Sequence, residues 1–128
     1  MRTAIQTVEY YLACMEARDL SAARALLASD FKMTFPGPVE FTQLEDLVIW
    51  GAARYRSISK RYEQFDELTT TQGQIVYCYG WLHGTWLDGS AFDGVRFIDR
   101  FLVDNNQLRE QLVWNDLAET LVGSTPKQ

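Results

Sequence analysis

Apolar and polar residues follow two different periods along this chain, and the change between them divides it into a helical part and a sheet part. Before about Ser57, most apolar residues recur at every third or fourth position, which is the spacing of a helix with one buried face. From Ile58 onward, apolar and polar residues alternate, which is the spacing of strands with one buried face. The pattern predicts an α+β fold in which helices pack on one face of an antiparallel sheet.

The helical part predicts two helices followed by one short strand. The second helix begins at Asp19 or Ser21, because either side chain can accept a hydrogen bond from the N-terminus of the helix. The segment Phe31–Phe35 alternates as a strand and ends at Pro36. The first helix has one buried face, which is made by Ile5, Val8, Tyr11, Leu12 and Met15.

A third helix has the sharpest predicted start. Thr42 and Glu45 have the spacing of a capping box, in which each side chain accepts a hydrogen bond from a backbone N–H at the helix entrance. The apolar residues behind this box predict a helix that runs to about Ser57. We expect this helix and the first one to enclose a pocket against the sheet.

The sheet part predicts an antiparallel meander of four strands. Its turns are Asp88-Gly89 and Asn105-Asn106, which suit two-residue hairpin loops because these residues tolerate a positive φ. The strands are Ile58–Leu68, Gln74–Leu87, Ser90–Val103 and Leu108–Leu117.

Two-residue loops fix which side chains share a face of the sheet. The first loop pairs Leu87 with Ser90, and the second places Asp99 opposite Leu112. Asp99 and Asp116 then lie on one face, among large apolar and small residues that suit the wall of a cavity. An ionised carboxylate is costly there unless it is paired, hydrogen-bonded or protonated, so both residues are candidates for chemistry. The other residues of this face are Val76, Cys78, Gly80, Leu82, Gly84, Trp86, Val95, Phe97, Phe101 and Trp114.

The opposite face of the sheet combines arginine with aromatic residues. Arg96 lies beside Tyr79 and Trp81 there, a composition typical of a cation–π surface or a subunit interface. His83, the only histidine, falls on the same face, so we expect it to be structural rather than a proton shuttle. A single bulge between residues 91 and 94 would exchange the faces of one strand.

Composition limits the class of protein. The 128 residues suit one domain, expected over residues 1–122, with a flexible tail at 123–128. The net charge of −5 argues against binding to nucleic acid or to an anionic membrane, because both need a basic surface. Charged residues interrupt the N-terminal segment, so neither a secretory signal nor a membrane span is expected. Cys14 and Cys78 are isolated, which favours buried, reduced thiols in a cytoplasmic protein.

The order of elements and several short motifs together resemble the nuclear transport factor 2-like (NTF2-like) superfamily. The motifs are Tyr11, Arg18-Asp19-Leu20 and the terminal Val113-Trp114-Asn115-Asp116. The polyketide cyclase (SnoaL-like) and ketosteroid isomerase branches are the most similar. The resemblance implies a cone-shaped fold, also called cystatin-like, in which three N-terminal helices and a curved antiparallel sheet enclose an apolar pocket. It also implies a homodimer, for which the aromatic and arginine face is the expected interface.

The resemblance also implies roles for particular residues. Tyr11 matches the oxyanion-hole tyrosine that ketosteroid isomerases carry on the first helix, and Asp99 matches the protonated aspartic acid of the same hole. Asp116 matches the last-strand aspartate that SnoaL-like cyclases use in acid–base chemistry. The isomerases place their general base before a proline at the end of the first strand, where this chain has Phe35 before Pro36. The isomerase reaction itself is therefore not expected, and Asp116 or Asp99 would have to act as the base.

The leading hypothesis is an enzyme that isomerises, cyclises, hydrates or dehydrates a small apolar carbonyl or hydroxyl compound. Asp116 would be the general base, Asp99 the general acid and Tyr11 a hydrogen-bond donor. No metal or organic cofactor is expected, because the chain has one histidine and no glycine-rich phosphate loop. The expected ligand-binding residues are Phe35, Trp50, Trp86, Phe97 and Trp114.

The competing hypothesis is a non-catalytic domain of the same fold. Such a domain would bind a small molecule in the pocket, or assemble as a dimer through the sheet. Asp99 would then pair with a neighbouring arginine, Asp116 would cap a strand end or face water, and the aromatic residues would be ordinary core.

Overall fold

Four helices and six strands follow one another along residues 2–124, the part of the chain that the computed structural model describes. The helices are α1 (Ala4–Glu16), α2 (Leu20–Arg24), α3 (Leu44–Ala52) and α4 (Leu117–Ser124). The strands are β1 (Leu27–Phe35), β2 (Val39–Phe41), β3 (Tyr55–Thr70), β4 (Gly73–Trp86), β5 (Ala91–Asp104) and β6 (Gln107–Asn115). Helix α4 includes residues 123 and 124 of the predicted tail, and the remaining tail residues, 125–128, lie outside the described residues.

The six strands form one curved sheet in the order β2-β1-β6-β5-β4-β3. All neighbouring strands are antiparallel except β1 and β6, which are parallel. The backbones of β3 and β4 approach one another closely at two glycines. A Cβ atom at Gly80 would lie 2.0 Å from the carbonyl oxygen of Arg61, and one at Gly84 would lie 2.1 Å from that of Ser57. Only glycine permits this approach. The helices α1 and α3 pack on the concave face of the sheet. The predicted α+β architecture is confirmed.

The N-terminal elements differ from the prediction in their ends rather than in their order. Asp19 caps α2 as predicted, since its side chain accepts the Ala22 N–H at 3.2 Å. The predicted capping box at Thr42 is wrong, because α3 begins one residue later, with Gln43 at the cap and no side-chain cap bond. Glu45 instead forms an ion pair with Arg24 of α2, which ties the two helices together.

Three elements have no counterpart in the sequence analysis. They are β2, the extension of β1 back to Leu27, and α4. Strand β2 has only three residues and pairs with the end of β1, so its alternation is too short to stand out. None of the helices within residues 2–124 combines the length and the apolarity needed to cross a bilayer.

The β4–β5 hairpin has the predicted strand pairing, although its loop and a bulge differ from the prediction. Its loop has three residues, Leu87 to Gly89, because the Trp86 N–H donates to the Ser90 carbonyl oxygen at 2.8 Å. A bulge opposite His83 then restores the register, so Leu82 pairs with Val95 and the strands continue in the predicted alignment. The longer loop and the bulge cancel one another. Asp99 therefore lies opposite Cys78 on the concave face, as predicted.

The β5–β6 hairpin does not keep its predicted register. Asn105 and Asn106 form the expected two-residue turn, with φ values of 52° and 62°. Beyond it, a bulge at Arg109 shifts the pairing by one residue, so Asp99 faces Val113 instead of Leu112. The bulge has an electrostatic reason, since the predicted register would have turned the Glu110 carboxylate into the core.

Candidate functional site

A cavity of about 130 Å³ lies between the concave face of the sheet and the helices α1 and α3. That space is on the order of ten times what one buried water needs. Its wall is mainly apolar but includes polar and charged side chains, which is the usual composition of a small-molecule site. The lining residues are Tyr11, Leu12, Met15, Glu16, Arg18, Phe35, Pro36, Leu47, Val48, Trp50, Gly51, Arg54, Tyr55, Ile58, Ser59, Lys60, Tyr62, Leu82, Phe97, Asp99, Gln111, Val113, Asn115 and Leu117.

An ion pair between Lys60 and Asp99 forms part of the cavity wall. The Lys60 Nζ lies 2.7 Å from the Asp99 Oδ2. The Asp99 side chain is completely buried, whereas the Lys60 side chain is 25% exposed. Lys60 also lies over the Phe97 ring, with Nζ 5.0 Å from the ring centre. The ammonium thus bridges the buried carboxylate and the space in which a ligand would bind.

This contact decides the charge state of the pair. Burial lowers the pKa of Lys60, but the Asp99 carboxylate raises it, and the net effect is a pKa above that of an ordinary lysine. Lys60 is therefore an ammonium at neutral pH, which excludes it as a nucleophile or a base. An ammonium at 2.7 Å stabilises the ionised carboxylate. The contact has the distance of a charge-assisted hydrogen bond, which is the geometry of an ion pair and not that of the neutral oxyanion-hole acid that the family resemblance implies.

Two buried oxygen atoms of the cavity wall have no hydrogen-bond donor among the described residues. They are Oδ1 of Asp99 and Oε1 of Gln111. Gln111 is 3% exposed and lies on β6, opposite Phe101. Because an unpaired buried acceptor costs about 1–3 kcal/mol, these two atoms are the positions where a ligand or water donor would gain most.

Tyr11 lies on α1 and reaches the same cavity. It is buried, and its ring makes edge contacts with Phe31 and Phe101. Its hydroxyl donates only to the Met33 Sδ, at 3.9 Å, which is a weak acceptor. Burial raises the pKa of Tyr11, the Lys60 charge opposes that rise, and the Asp99 charge adds to it. The net rise keeps the phenol neutral, so it can act as a hydrogen-bond donor.

Three of the five aromatic residues predicted to bind a ligand line the cavity. Phe35 and Trp50 pack edge to face at 5.6 Å, and Phe97 lies beside Lys60. Trp86 faces inward but packs against Phe92, with ring centres 4.4 Å apart, and is part of the core rather than of the cavity wall. Trp114 lies on the outer face of the sheet and is 49% exposed.

Asp116 does not join Asp99, and the prediction that the two carboxylates share a face is wrong. The register shift in β6 turns Trp114 and Asp116 outward and turns Val113 and Asn115 toward the cavity. Asp116 pairs instead with the exposed Arg96, at 2.5 Å between Oδ2 and Nε. A carboxylate that neither faces the cavity nor contacts its polar groups cannot serve as its base.

Lys60 and Gln111 are the site residues that the sequence analysis missed. Lys60 lies on β3 between Ile58 and Tyr62, and all three line the cavity. The alternation of that strand could have placed Lys60 inward, since its two neighbours of the same parity are large and apolar. Gln111 faces the cavity only because of the bulge in β6, which the sequence did not predict.

The remaining candidates for chemistry lie outside the cavity or are unreactive. His83 is on the outer side of β4 and is not among the lining residues. Both cysteines are buried, as predicted, and burial raises the pKa of the Cys78 thiol to about 12, so it stays protonated. Among the described residues, no three His, Cys, Asp or Glu side chains are grouped to hold a metal ion.

Comparisons with known proteins place this architecture among solved structures. Neither a protein-family model nor a curated protein matches the sequence. An NTF2-like protein of unknown function from Burkholderia pseudomallei superposes with a TM-score of 0.78 at 17% identity, over 98% of this chain and 100% of that chain. The chain has the NTF2-like fold.

Two further structures show the range of proteins that share this NTF2-like fold. A "putative polyketide cyclase" from Pseudomonas putida superposes with a TM-score of 0.73 at 16% identity, over 95% of this chain and 98% of that chain. TerC, which was co-crystallised with polyporic acid, superposes with a TM-score of 0.77 at 10% identity, over 93% of this chain and 95% of that chain. The fold inferred from the order of elements is thereby confirmed, and identities this low establish the fold alone.

Proposed function

We propose that this NTF2-like protein is a SnoaL-like acid–base enzyme that needs no cofactor. Its substrate would be a small apolar compound with a carbonyl or hydroxyl group, and the reaction an isomerisation, cyclisation, hydration or dehydration. One observation carries the proposal: a fully buried carboxylate at the end of an apolar cavity, with one oxygen held by an ammonium and the other unpartnered. The neighbour named as a polyketide cyclase supports the reaction class by analogy.

In the proposed mechanism, Asp99 is the base rather than the acid. Its Oδ1 removes a proton from the carbon next to the substrate carbonyl. The electrons of the broken C–H bond form a C=C bond, and the carbonyl π electrons move onto the oxygen to give an enolate. Return of the proton from the carboxyl to the same carbon, or to a conjugated one, regenerates Asp99 and releases the ketone or its isomer.

Lys60 and Tyr11 would stabilise the negative charge that forms on the substrate oxygen. The Lys60 ammonium keeps two N–H donors beyond the one given to Asp99, and it lies in the cavity wall. The neutral Tyr11 hydroxyl gives up only a weak bond to Met33 if it turns to the substrate. Donors fixed in a dry cavity stabilise an oxyanion more than water does, because they need no reorganisation.

Deuterium uptake by 2-tetralone tests this proposal without knowledge of the natural substrate. The ketone is apolar and bicyclic and has acidic protons next to its carbonyl. In D₂O, the protein is expected to accelerate exchange at those carbons by at least about tenfold over buffer, as measured by proton NMR. If 2-tetralone binds but its exchange proceeds at the buffer rate, the protein binds a ligand without catalysing proton transfer. The proposal that it is an enzyme would then be wrong.

A second function, assembly through the sheet, is favoured by an exposed stripe on the outer face. Tyr79, Ile98 and Trp114 lie next to one another on three adjacent strands, with Trp81 beside Arg96. All four apolar side chains are at least 36% exposed. Aromatic residues next to arginine are typical of subunit interfaces, so we propose that this stripe joins two copies of the chain.

Trp114→Glu is expected to weaken the proposed dimer by about 30-fold, the usual loss when a central aromatic contact is removed. The measurement is the molar mass by light scattering over a dilution series. Ile49→Glu, which changes a still more exposed apolar residue on α3, is the control and should leave the molar mass unchanged. A wild-type protein that is monomeric at the highest concentration would contradict the dimer.

A further inference from the structure

Two arginines, Arg18 and Arg54, line the cavity in addition to the Lys60–Asp99 pair. Arg18 follows α1 and Arg54 follows α3, and both line the cavity while remaining exposed. The hydroxyl of Tyr55, another lining residue, lies against α3, where a Cβ atom at Gly51 would be 2.8 Å from it. Burial raises the pKa of Tyr55, and the positive charges of Arg18, Lys60 and Arg54 oppose that rise.

Neither arginine has an acidic partner within residues 2–124. The chain has a net charge of −5, so acids are in excess, and most other cationic side chains use them. Within the described chain, those with an acid oxygen within 4.0 Å are Arg24, Lys32, Lys60, Arg61, Arg96, Arg100 and Arg109. Two guanidinium groups in one cavity wall, each without a carboxylate partner among the described residues, therefore add an excess of positive charge to that wall.

Both side chains are held in place by contacts that leave donors free. The Arg54 guanidinium stacks on the Trp50 ring, 4.4 Å from its centre. Arg18 has a left-handed backbone, with φ of 60°, and its Nη1 donates to the Met15 carbonyl oxygen at 2.5 Å. Each contact orients the guanidinium but occupies at most one of its five N–H groups.

The Glu16 carboxylate forms no ion pair with either arginine within residues 2–124. Glu16 also lines the cavity, and its Oε1 accepts the Lys60 backbone N–H at 3.3 Å. The charged lining residues are Glu16, Arg18, Arg54, Lys60 and Asp99, which leaves one positive charge in excess.

We infer that the ligand is an apolar acid whose carboxylate binds Arg18, Arg54 and the Tyr55 hydroxyl. Its ring body fills the apolar part of the cavity, and its opposite end reaches the Lys60–Asp99 pair. Guanidinium groups suit this role because their planar N–H pairs match a carboxylate. The inference rests on the cavity of the proposed function, but not on catalysis within it.

A matched pair of probes tests this assignment by calorimetry. 6-Hydroxy-2-naphthoic acid carries a carboxylate at one end and a hydroxyl at the other, and its methyl ester has the same body without the charge. The acid is expected to bind about tenfold more tightly than the ester. This preference should shrink as NaCl is raised, whereas the affinity of the ester should not change, since salt screens only the charged contact.

Variants separate the arginine site from the cavity itself. Replacing both residues (Arg18→Gln with Arg54→Gln) is expected to remove the preference for the acid and to leave the ester affinity as it was. Arg2→Gln, which removes the same charge from an arginine stacked on Tyr10 outside the cavity, should leave the preference intact.

Two results would overturn the inference in distinguishable ways. The arginine assignment is wrong if the wild-type protein binds acid and ester equally, or if the double variant keeps the preference for the acid. Neither result would contradict the proposed function. If neither probe binds at about 1 mM, the cavity does not bind apolar ligands of this kind. That result would contradict both the proposed function and the arginine site.

Discussion

Lys60→Met is expected to lower the free energy of unfolding by about 3–5 kcal/mol at pH 7, the usual cost of removing one partner from a buried ion pair. Methionine keeps most of the side-chain volume but leaves the Asp99 carboxylate in an apolar wall without its ammonium. The loss should shrink as the pH falls, because the unpaired carboxyl can then be protonated, and a neutral acid is cheaper to bury. Urea unfolding at a series of pH values measures both effects.

The same substitution at an exposed ion pair provides the control. Lys32 lies 3.8 Å from Glu40 on the surface, where both side chains are about half exposed. Such pairs contribute about 0–1 kcal/mol, so Lys32→Met should be nearly neutral. The double change of Lys60→Met with Asp99→Leu should recover much of the loss, since it removes both charges. Equal effects at Lys60 and Lys32 would mean that the Lys60–Asp99 contact does not exist in solution.

The raised pKa of Lys60 sets a pH dependence at the alkaline end as well. A cation whose pKa is raised by folding contributes stability that is fully present below its unfolded value, about 10.4 for lysine. That contribution is lost as the pH rises through the folded value. Between neutral pH and about pH 10 the pair should therefore contribute constantly to wild-type stability.

The sequence predicted the fold better than it predicted the site, because a fold tolerates errors of one residue in the position of an element and a site does not. The order of helices and strands follows from periods that extend over many residues, so an error of one residue at an end changes nothing. Thr42 shows this: the capping box assigned there is absent, yet α3 forms and covers the sheet. A face of a strand, in contrast, is inverted by a single inserted residue.

The two hairpins show both outcomes of that sensitivity. In β4–β5, an extra loop residue and a bulge cancel, and Asp99 faces inward as predicted. In β5–β6, the loop is as predicted and the bulge at Arg109 is not cancelled, so Asp116 faces outward. Glu110 carried a usable signal. The predicted register buried its charge, whereas the bulge lets it pair with Arg100 on the outer face at 3.4 Å.

Lys60 was missed for a different reason. Its strand is rich in charge, and a lysine in such a segment is most often solvated. Its partner Asp99 lies two strands away, across β4, and only the curvature of the sheet brings the two side chains to 2.7 Å. No local sequence pattern predicts a contact between residues so far apart in the chain. The sequence could therefore show that Asp99 needs a partner, but it could not identify Lys60 as that partner.

Asp99→Asn is expected to slow the catalysed deuterium exchange of 2-tetralone by about 10²–10⁴-fold, the usual contribution of a general base. Asparagine has the same shape, and its amide oxygen can still accept the Lys60 hydrogen bond, but it cannot take up a proton at neutral pH. Binding of 2-tetralone should therefore change far less than the exchange rate, and that difference separates a lost base from a damaged cavity.

Asp116→Asn is the comparison that separates the two assignments of the base. Asp116 is the residue that sequence patterning favoured, and in the structure it is partly exposed and paired with Arg96, on the face of the sheet opposite the cavity. If the cavity carboxylate is the base, only the Asp99 variant loses exchange activity, because a proton transfer needs the acceptor within hydrogen-bond reach of the substrate carbon. A large loss in Asp116→Asn with normal exchange in Asp99→Asn would instead require β6 to pair in solution without its bulge. The alignment of β6 decides whether Asp116 can reach the cavity. Comparing the exchange rates of the Asp99 and Asp116 variants therefore tests which aspartate is the base.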